Sequence, residues 1–159
     1  IPIETIIFLA NYAQAEMKNL ILNPAPAQAL PESIYQQLFL ITPNETEASL
    51  LTGIPCDSEA DYPKIAQWFR DKGVQQVLLT LGEKGTYFQN SIQEYRIPAQ
   101  KVIAVDSTAA GDVFNGSLAV ALAEGMPWKE AITLATKAAS ISVTRMGAQA
   151  SAPYRNELV

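Results

Sequence analysis

Apolar positions in this chain come in two textures: short unbroken runs, and longer stretches in which they recur every three or four residues. Leu38-Phe39-Leu40-Ile41 and Val77-Leu78-Leu79 are continuous, as strands covered on both faces should be. Val113, Phe114, Leu118, Ala119, Ala121 and Leu122 fall near helical spacing and predict a helix over residues 113–124, ended by Gly125. The same reading gives helices over 3–18, briefly after Pro31, and over 45–51, 58–72 and 129–143. Strands are expected over 20–22, 38–41, 76–81 and 102–105, with 86–89 and 93–97 as an antiparallel pair. Strands alternating with helices predict an α/β fold: a layered, mostly parallel sheet flanked by helices, in one domain over residues 1–159. The Pro/Ala-rich stretch from Pro24 to Pro31 reads as a loop within that domain.

Chemistry concentrates where strands are expected to end. The run Val105-Asp106-Ser107-Thr108-Ala109-Ala110-Gly111-Asp112-Val113-Phe114-Asn115-Gly116 places small residues and a carboxylate at the mouth of a helix. A helix leaves its first amides unpaired and carries partial positive charge there, so Ala109, Ala110 and Gly111 would admit a phosphate to those donors. Asp112 would then stand where an acceptor hydroxyl gives up its proton during phosphoryl transfer. Read alone, Asp112 is equally an acid complementing the helix dipole.

Three further segments carry similar alternatives. Thr42-Pro43-Asn44-Glu45-Thr46-Glu47 follows the run 38–41 and reads either as a helix start rich in acids or as a site for magnesium, which binds through one or two carboxylates plus phosphates. Thr80-Leu81-Gly82-Glu83-Lys84-Gly85 follows the run 76–79, either as a tight turn or as a nucleotide loop. Ser140-Ile141-Ser142-Val143-Thr144-Arg145-Met146-Gly147-Ala148-Gln149-Ala150-Ser151 closes the last helix.

Composition narrows the function classes. With 48% hydrophobic residues in 159 positions the chain can bury a core. Its net charge of −5, without a Lys/Arg cluster, gives no electrostatic footprint for nucleic acid or an anionic membrane surface. Phosphates must be held by helix termini, metal and geometry instead. The chain has no histidine, which removes Ser-His-Asp and Cys-His triads and histidine-ligated zinc. Its one cysteine, Cys56, forms no intrachain disulfide and points to a reducing compartment. The apolar opening Ile6-Ile7-Phe8-Leu9-Ala10 is too short for a membrane span, so a cytoplasmic location is expected.

Taken in chain order, with Asn23-Pro24-Ala25-Pro26 ahead of them, the four segments resemble the ribokinase-like sugar kinases, also called PfkB carbohydrate kinases. Ser107 is a mild departure from the family's pattern. The resemblance implies the ribokinase-like fold and transfer of the γ-phosphoryl group of ATP to a sugar, with the 5-hydroxyl of D-ribose as acceptor. It makes Asp112 the base and the amides of Ala109, Ala110, Gly111 and Asp112 an anion hole. Asn44 and Glu47 would organise Mg2+ and the phosphates, residues 80–85 would lie against ATP, and Thr136 would fall near adenine. Asp106, the carbonyls of Thr108, Ser142, Arg145 and Gly147, and Ser151 would hold K+.

The resemblance covers the chain but only the family's carboxy-terminal half. It therefore implies that the sugar-binding half and its lid lie outside these residues, and that the intact protein is a homodimer. Two further expectations follow: a related kinase acting on another sugar or a nucleoside, or a nucleotide-binding piece without catalysis. A half sheet would also expose an apolar edge and self-associate.

Overall fold

The fold was analysed in a computed structural model that describes residues 1–158. In chain order the elements are α1 (Ile3–Ala15), β1 (Ile21–Leu22), α2 (Glu32–Tyr35), β2 (Leu40–Ile41), α3 (Glu45–Thr52), α4 (Tyr62–Asp71), β3 (Gln76–Thr80), β4 (Thr86–Gln89), β5 (Glu94–Ile97), α5 (Ala110–Ala123) and α6 (Trp128–Ser142). Short 3₁₀ turns lie at Gly82–Lys84 and Arg155–Glu157. The five strands form one mixed sheet in sequence order, with β1, β2 and β3 parallel. Registers pair Ile21 with Leu40, and Leu40 with Gln76. The expected α/β architecture is thus the observed one.

The residues gather into two compact units. The first comprises Ile1–Thr80 with Tyr87–Tyr95. Its centre is the unbroken runs of the sequence: Leu38, Leu40, Ile41, Val77, Leu78 and Leu79 are all fully buried. Residues with helices on both sides need no polar face, which is why these strands do not alternate. α4 supplies Tyr62, Ile65, Ala66 and Phe69 at helical spacing, all buried, while Lys64 and Gln67 face solvent. Tyr35 meets Trp68 edge-on, with ring centres 5.7 Å apart.

The second unit comprises Leu81–Thr86 with the chain from Arg96 onward. Its core is the hairpin of α5 and α6, where Phe114, Leu118 and Ala121 are buried together with Ala131, Ile132, Ala135 and Ala138. Buried hydroxyls on α6 find partners in their own helix: Thr136 Oγ1 donates to the Ile132 carbonyl at 2.8 Å, and Ser140 Oγ to the Thr136 carbonyl at 2.9 Å.

Several expected boundaries move, each for a local reason. α1 stops at Ala15 rather than residue 18, because Met17 turns left-handed and the Lys18 amide closes back on the Ala13 carbonyl at 2.8 Å. α4 starts at Tyr62 rather than residue 58, because the Asp61 carboxylate accepts from both the amide and hydroxyl of Ser58 and closes a turn there. α5 begins three residues earlier than residue 113.

The expected strand over 102–105 is absent. A strand needs a neighbour for its amides and carbonyls, and apolar side chains alone do not provide one. Here the segment runs irregularly with Ile103 88% exposed, and the Val105 amide turns to the Val143 carbonyl at 2.7 Å instead of to a neighbouring strand.

Candidate active site

The turn that leads into α5 is built by Asp106. One carboxylate oxygen accepts from the Thr108 amide at 2.9 Å and the other from the Gly147 amide at 3.0 Å. Asp106 therefore joins the entry of α5 to the turn that follows α6, and the bonds from Thr108 and Gly147 hold its carboxyl below the usual carboxylate range. The Val143 carbonyl reinforces the junction by accepting from the amides of both Val105 and Asp106. The sequence-expected residues Asp106, Thr108, Ser142, Arg145 and Gly147 are thus brought into one loop cluster.

Ala109 then takes the cap position with φ +60°, a left-handed conformation that costs an alanine about 1–2 kcal/mol relative to glycine. It offers the helix no side-chain cap. The Ala110 amide reaches the Ser107 carbonyl at 3.3 Å and the Val113 amide closes the first helical bond onto the Ala109 carbonyl at 2.9 Å. Between them the amides of Gly111 and Asp112 find no protein acceptor among the described residues. The Asp112 side chain is exposed and has no partner among them either. A cavity of about 720 Å³ opens beside it, lined by Ala109, Val113, Gly116, Leu134 and Gln149 among others. Two free amides at a positive helix end with a free carboxylate alongside can hold an anion and take a proton next to it.

Oxygen donors cluster around the same loops. The carbonyls of Thr108, Arg145 and Gly147 accept from no amide among the described residues, whereas that of Ser142 accepts from the Arg145 amide at 3.0 Å. Neutral carbonyl oxygens of this kind suit a large monovalent cation. Ser151 is fully buried, and its hydroxyl donates to the Ala148 carbonyl at 2.8 Å. No group of three or more His, Cys, Asp or Glu side chains suited to a metal occurs among the described residues.

The Gly82–Lys84 turn is shaped by its glycines. Gly82 has φ +55° and Gly85 φ +95°. A Cβ on Gly85 would lie 2.0 Å from the Ile97 carbonyl oxygen, so only glycine fits there. The Gly85 carbonyl accepts from the Leu81 amide at 2.9 Å, while Glu83 and Lys84 project outward, exposed. The tight turn anticipated from Gly-x-x-Gly is present. Thr136 is buried with its hydroxyl engaged inside α6, as described above.

In the first unit, Asn44 and Glu47 close a capping box on α3. Asn44 Oδ1 accepts from the Glu47 amide at 2.8 Å, and Glu47 Oε2 accepts from the Asn44 amide at 2.9 Å. Asn44 also bridges to Thr80 at the end of β3. The box leaves Glu47 Oε1 without a protein partner among the described residues. A single carboxylate oxygen of this kind is a donor that suits Mg2+, which keeps most of its waters.

Sequence reasoning passed over Glu157, whose carboxylate pairs with the Arg145 guanidinium. Nothing in a pattern of hydrophobic spacing marks an ion pair across twelve residues.

Comparison with known proteins bears on this geometry. The family model described as pfkB family carbohydrate kinase matches residues 1–155. A ribokinase of Haemophilus influenzae is 42% identical over 156 residues, covering 98% of this chain and 51% of that protein. Among solved structures, ribokinase from Thermotoga maritima superposes with a TM-score of 0.88 at 44% identity, over 99% of this chain and 52% of its own. Arabidopsis thaliana ribokinase, complexed with ribose and ATP, superposes with a TM-score of 0.95 at 30% identity, again over 99% and 52%. The chain spans about half the length of the curated relatives it matches.

Proposed function

This chain belongs to the pfkB family of carbohydrate kinases, and we propose that it is the nucleotide-binding and catalytic half of an ATP-dependent kinase that phosphorylates the 5-hydroxyl of D-ribose. The observation that carries the reading is the open first turn of α5, with the unpartnered amides of Gly111 and Asp112 beside the exposed Asp112 carboxylate. The choice of ribose and ATP is supported by the names of the ribokinase relatives and by the ribose and ATP complex of one of them.

In this reading the Asp112 carboxylate accepts the proton of the acceptor hydroxyl as its oxygen bonds to the γ-phosphorus. The bond from that phosphorus to the β–γ bridging oxygen breaks, and ADP leaves with the electron pair. The amides of Ala109, Gly111 and Asp112 face the charge that gathers on the transferring group, where fixed dipoles act without reorganising, whereas the amide of Ala110, also expected there, is engaged by the Ser107 carbonyl. The turn over residues 80–85 lies against the nucleotide and Thr136 borders the adenine. Asn44 and Glu47 serve the metal-bound phosphates. Mg2+, when bound, neutralises charge on the polyphosphate. K+ would be held by Asp106, the carbonyls of Thr108, Ser142, Arg145 and Gly147, and Ser151, and would fix the loops that meet at Asp106. In this reading the intact protein works as a homodimer in the cytoplasm. No described helix is long and apolar enough to cross a membrane.

The test is acceptor-dependent ADP release by the full-length protein carrying this chain, against ribose, deoxyribose, fructose and adenosine. Ribose should give the highest kcat/KM. A preference for another member of the panel would move the assignment to a different kinase of the same family, and no release with any of them would end it. The 159 residues by themselves should bind ATP without turnover; ribose-dependent turnover by this piece would contradict the division of labour proposed here.

A further inference from the structure

Arg155 and Glu157 each make an ion pair of similar form. Arg155 forks onto Glu124 at the end of α5, Nη1 to Oε1 at 3.2 Å and Nη2 to Oε2 at 2.7 Å. Two residues later, Glu157 takes the Arg145 guanidinium through both carboxylate oxygens and accepts from the Tyr154 amide at 2.8 Å. A forked arginine–carboxylate pair fixes direction as well as distance, which a lysine pair would not.

The two pairs differ in what lies beyond them. Glu124 ends at a helix that is already held by its own core. Arg145 sits in the turn after α6, where Thr144, Met146 and Gly147 are exposed and little apolar packing fixes the backbone. That turn is held by polar ties: the Arg145 amide to the Ser142 carbonyl, the Arg145 guanidinium to Glu157, and the Gly147 amide to Asp106. Asp106 in turn holds the Thr108 amide, one residue before the left-handed Ala109. An unbroken series of charge-assisted hydrogen bonds and two short backbone steps therefore runs from Glu157 to the open turn of α5.

We infer that Glu157 is a positioning residue for phosphoryl transfer: through Arg145, Gly147 and Asp106 it sets the direction of the Gly111 and Asp112 amides. The inference rests on the reading of that turn as the phosphoryl-transfer site. It touches no reacting atom and acts only by orientation, so it should lower kcat more than it alters nucleotide affinity.

The test compares Glu157→Gln with Glu124→Gln in the full-length protein, since both release the same tail but only the first releases the Arg145 turn. In E157Q, deuterium uptake should rise over residues 142–149 and 105–112, and kcat should fall about tenfold. Its KM for ATP should stay within about threefold of the parent value. In E124Q, uptake over 105–112 and kcat should match the parent. Unchanged uptake over 105–112 in E157Q, or equal losses in the two variants, would overturn the inference. Should E157Q fail to fold, Arg145→Lys keeps the charge and loses the fork, and the same two readouts apply. Uptake needs no turnover, so failure of the link from Glu157 to the α5 turn is read separately from absence of kinase activity, which would overturn the phosphoryl-transfer role itself.

Discussion

Two helices in this chain start from motif turns, and their first turns are finished in opposite ways. At α3 the side chains of Asn44 and Glu47 satisfy each other's backbone amides at 2.8 and 2.9 Å. At α5 the cap is Ala109, which has no side-chain oxygen to offer, and the amides of Gly111 and Asp112 remain open. The α3 start is stable in itself and has one carboxylate oxygen to spare. The α5 start leaves those amides open beside a left-handed alanine, and in the proposed reading an anion completes it. A helix end that supplies its own cap secures the fold, whereas one that omits it leaves donors that a ligand can use.

The largest effect should come from the open end. Asp112→Asn keeps the turn and removes the base, so kcat in the full-length protein should fall by about 10²–10⁴. ATP affinity measured by calorimetry should stay within a few-fold, because the amides proposed to face the phosphates are untouched. An equal loss in ATP affinity would make Asp112 part of the binding surface and blur the contrast with α3.

Backbone conformation at the open end gives the next effect. Ala109→Gly should raise stability by up to about 1 kcal/mol in chemical denaturation, and Ala109→Val should lower it by at least as much, because a β-branched residue resists the left-handed region. Destabilisation by glycine would mean that the alanine methyl, not the conformation, matters there.

The closed end should respond in stability first. Asn44→Ala should cost about 1 kcal/mol, the usual loss for a cap of this type. Glu47→Gln preserves the reach back to the Asn44 amide and removes only the charge. It should leave the melting temperature nearly unchanged while raising the Mg2+ concentration needed for half-maximal rate. Unaltered Mg2+ dependence would confine Glu47 to capping.

The smallest effect belongs to another closed turn. Lys64 and Ser58 bond the Asp61 carboxylate and lower its pKa to about 2. The folded value lies below the unfolded one, so the stabilisation is present above about pH 4 and is lost as pH falls toward 2. Asp61→Asn should flatten that part of the acid unfolding profile, lowering stability above about pH 4 and meeting the parent profile near pH 2. A parent profile with no slope between those values would remove the effect.

The runs 38–41 and 77–79 were legible because burial on both faces demands continuous apolar residues, and α4 because Tyr62, Ile65, Ala66 and Phe69 share one face. Residues 102–105 carry the same apolar signature without forming a strand, since side-chain type reports the wish to be buried and not the presence of a pairing neighbour. At the site, the order of four motifs pointed to the family that the comparisons identify. The left-handed Ala109 was not legible, as alanine rarely marks such a position. Residue types alone did not mark the carbonyls around Asp106, because every residue carries one, and only the family resemblance named them; the Arg145–Glu157 pair was not legible at all, since its partners are set by the fold rather than by spacing.

The most direct test is a crystal structure of the full-length protein with ribose, Mg·ADP and aluminium fluoride. The account predicts the fluoride group about 3 Å from the Gly111 and Asp112 amides, with an Asp112 carboxylate oxygen on the attacking hydroxyl. A fluoride group bound away from the first turn of α5, with those amides still open, would contradict it.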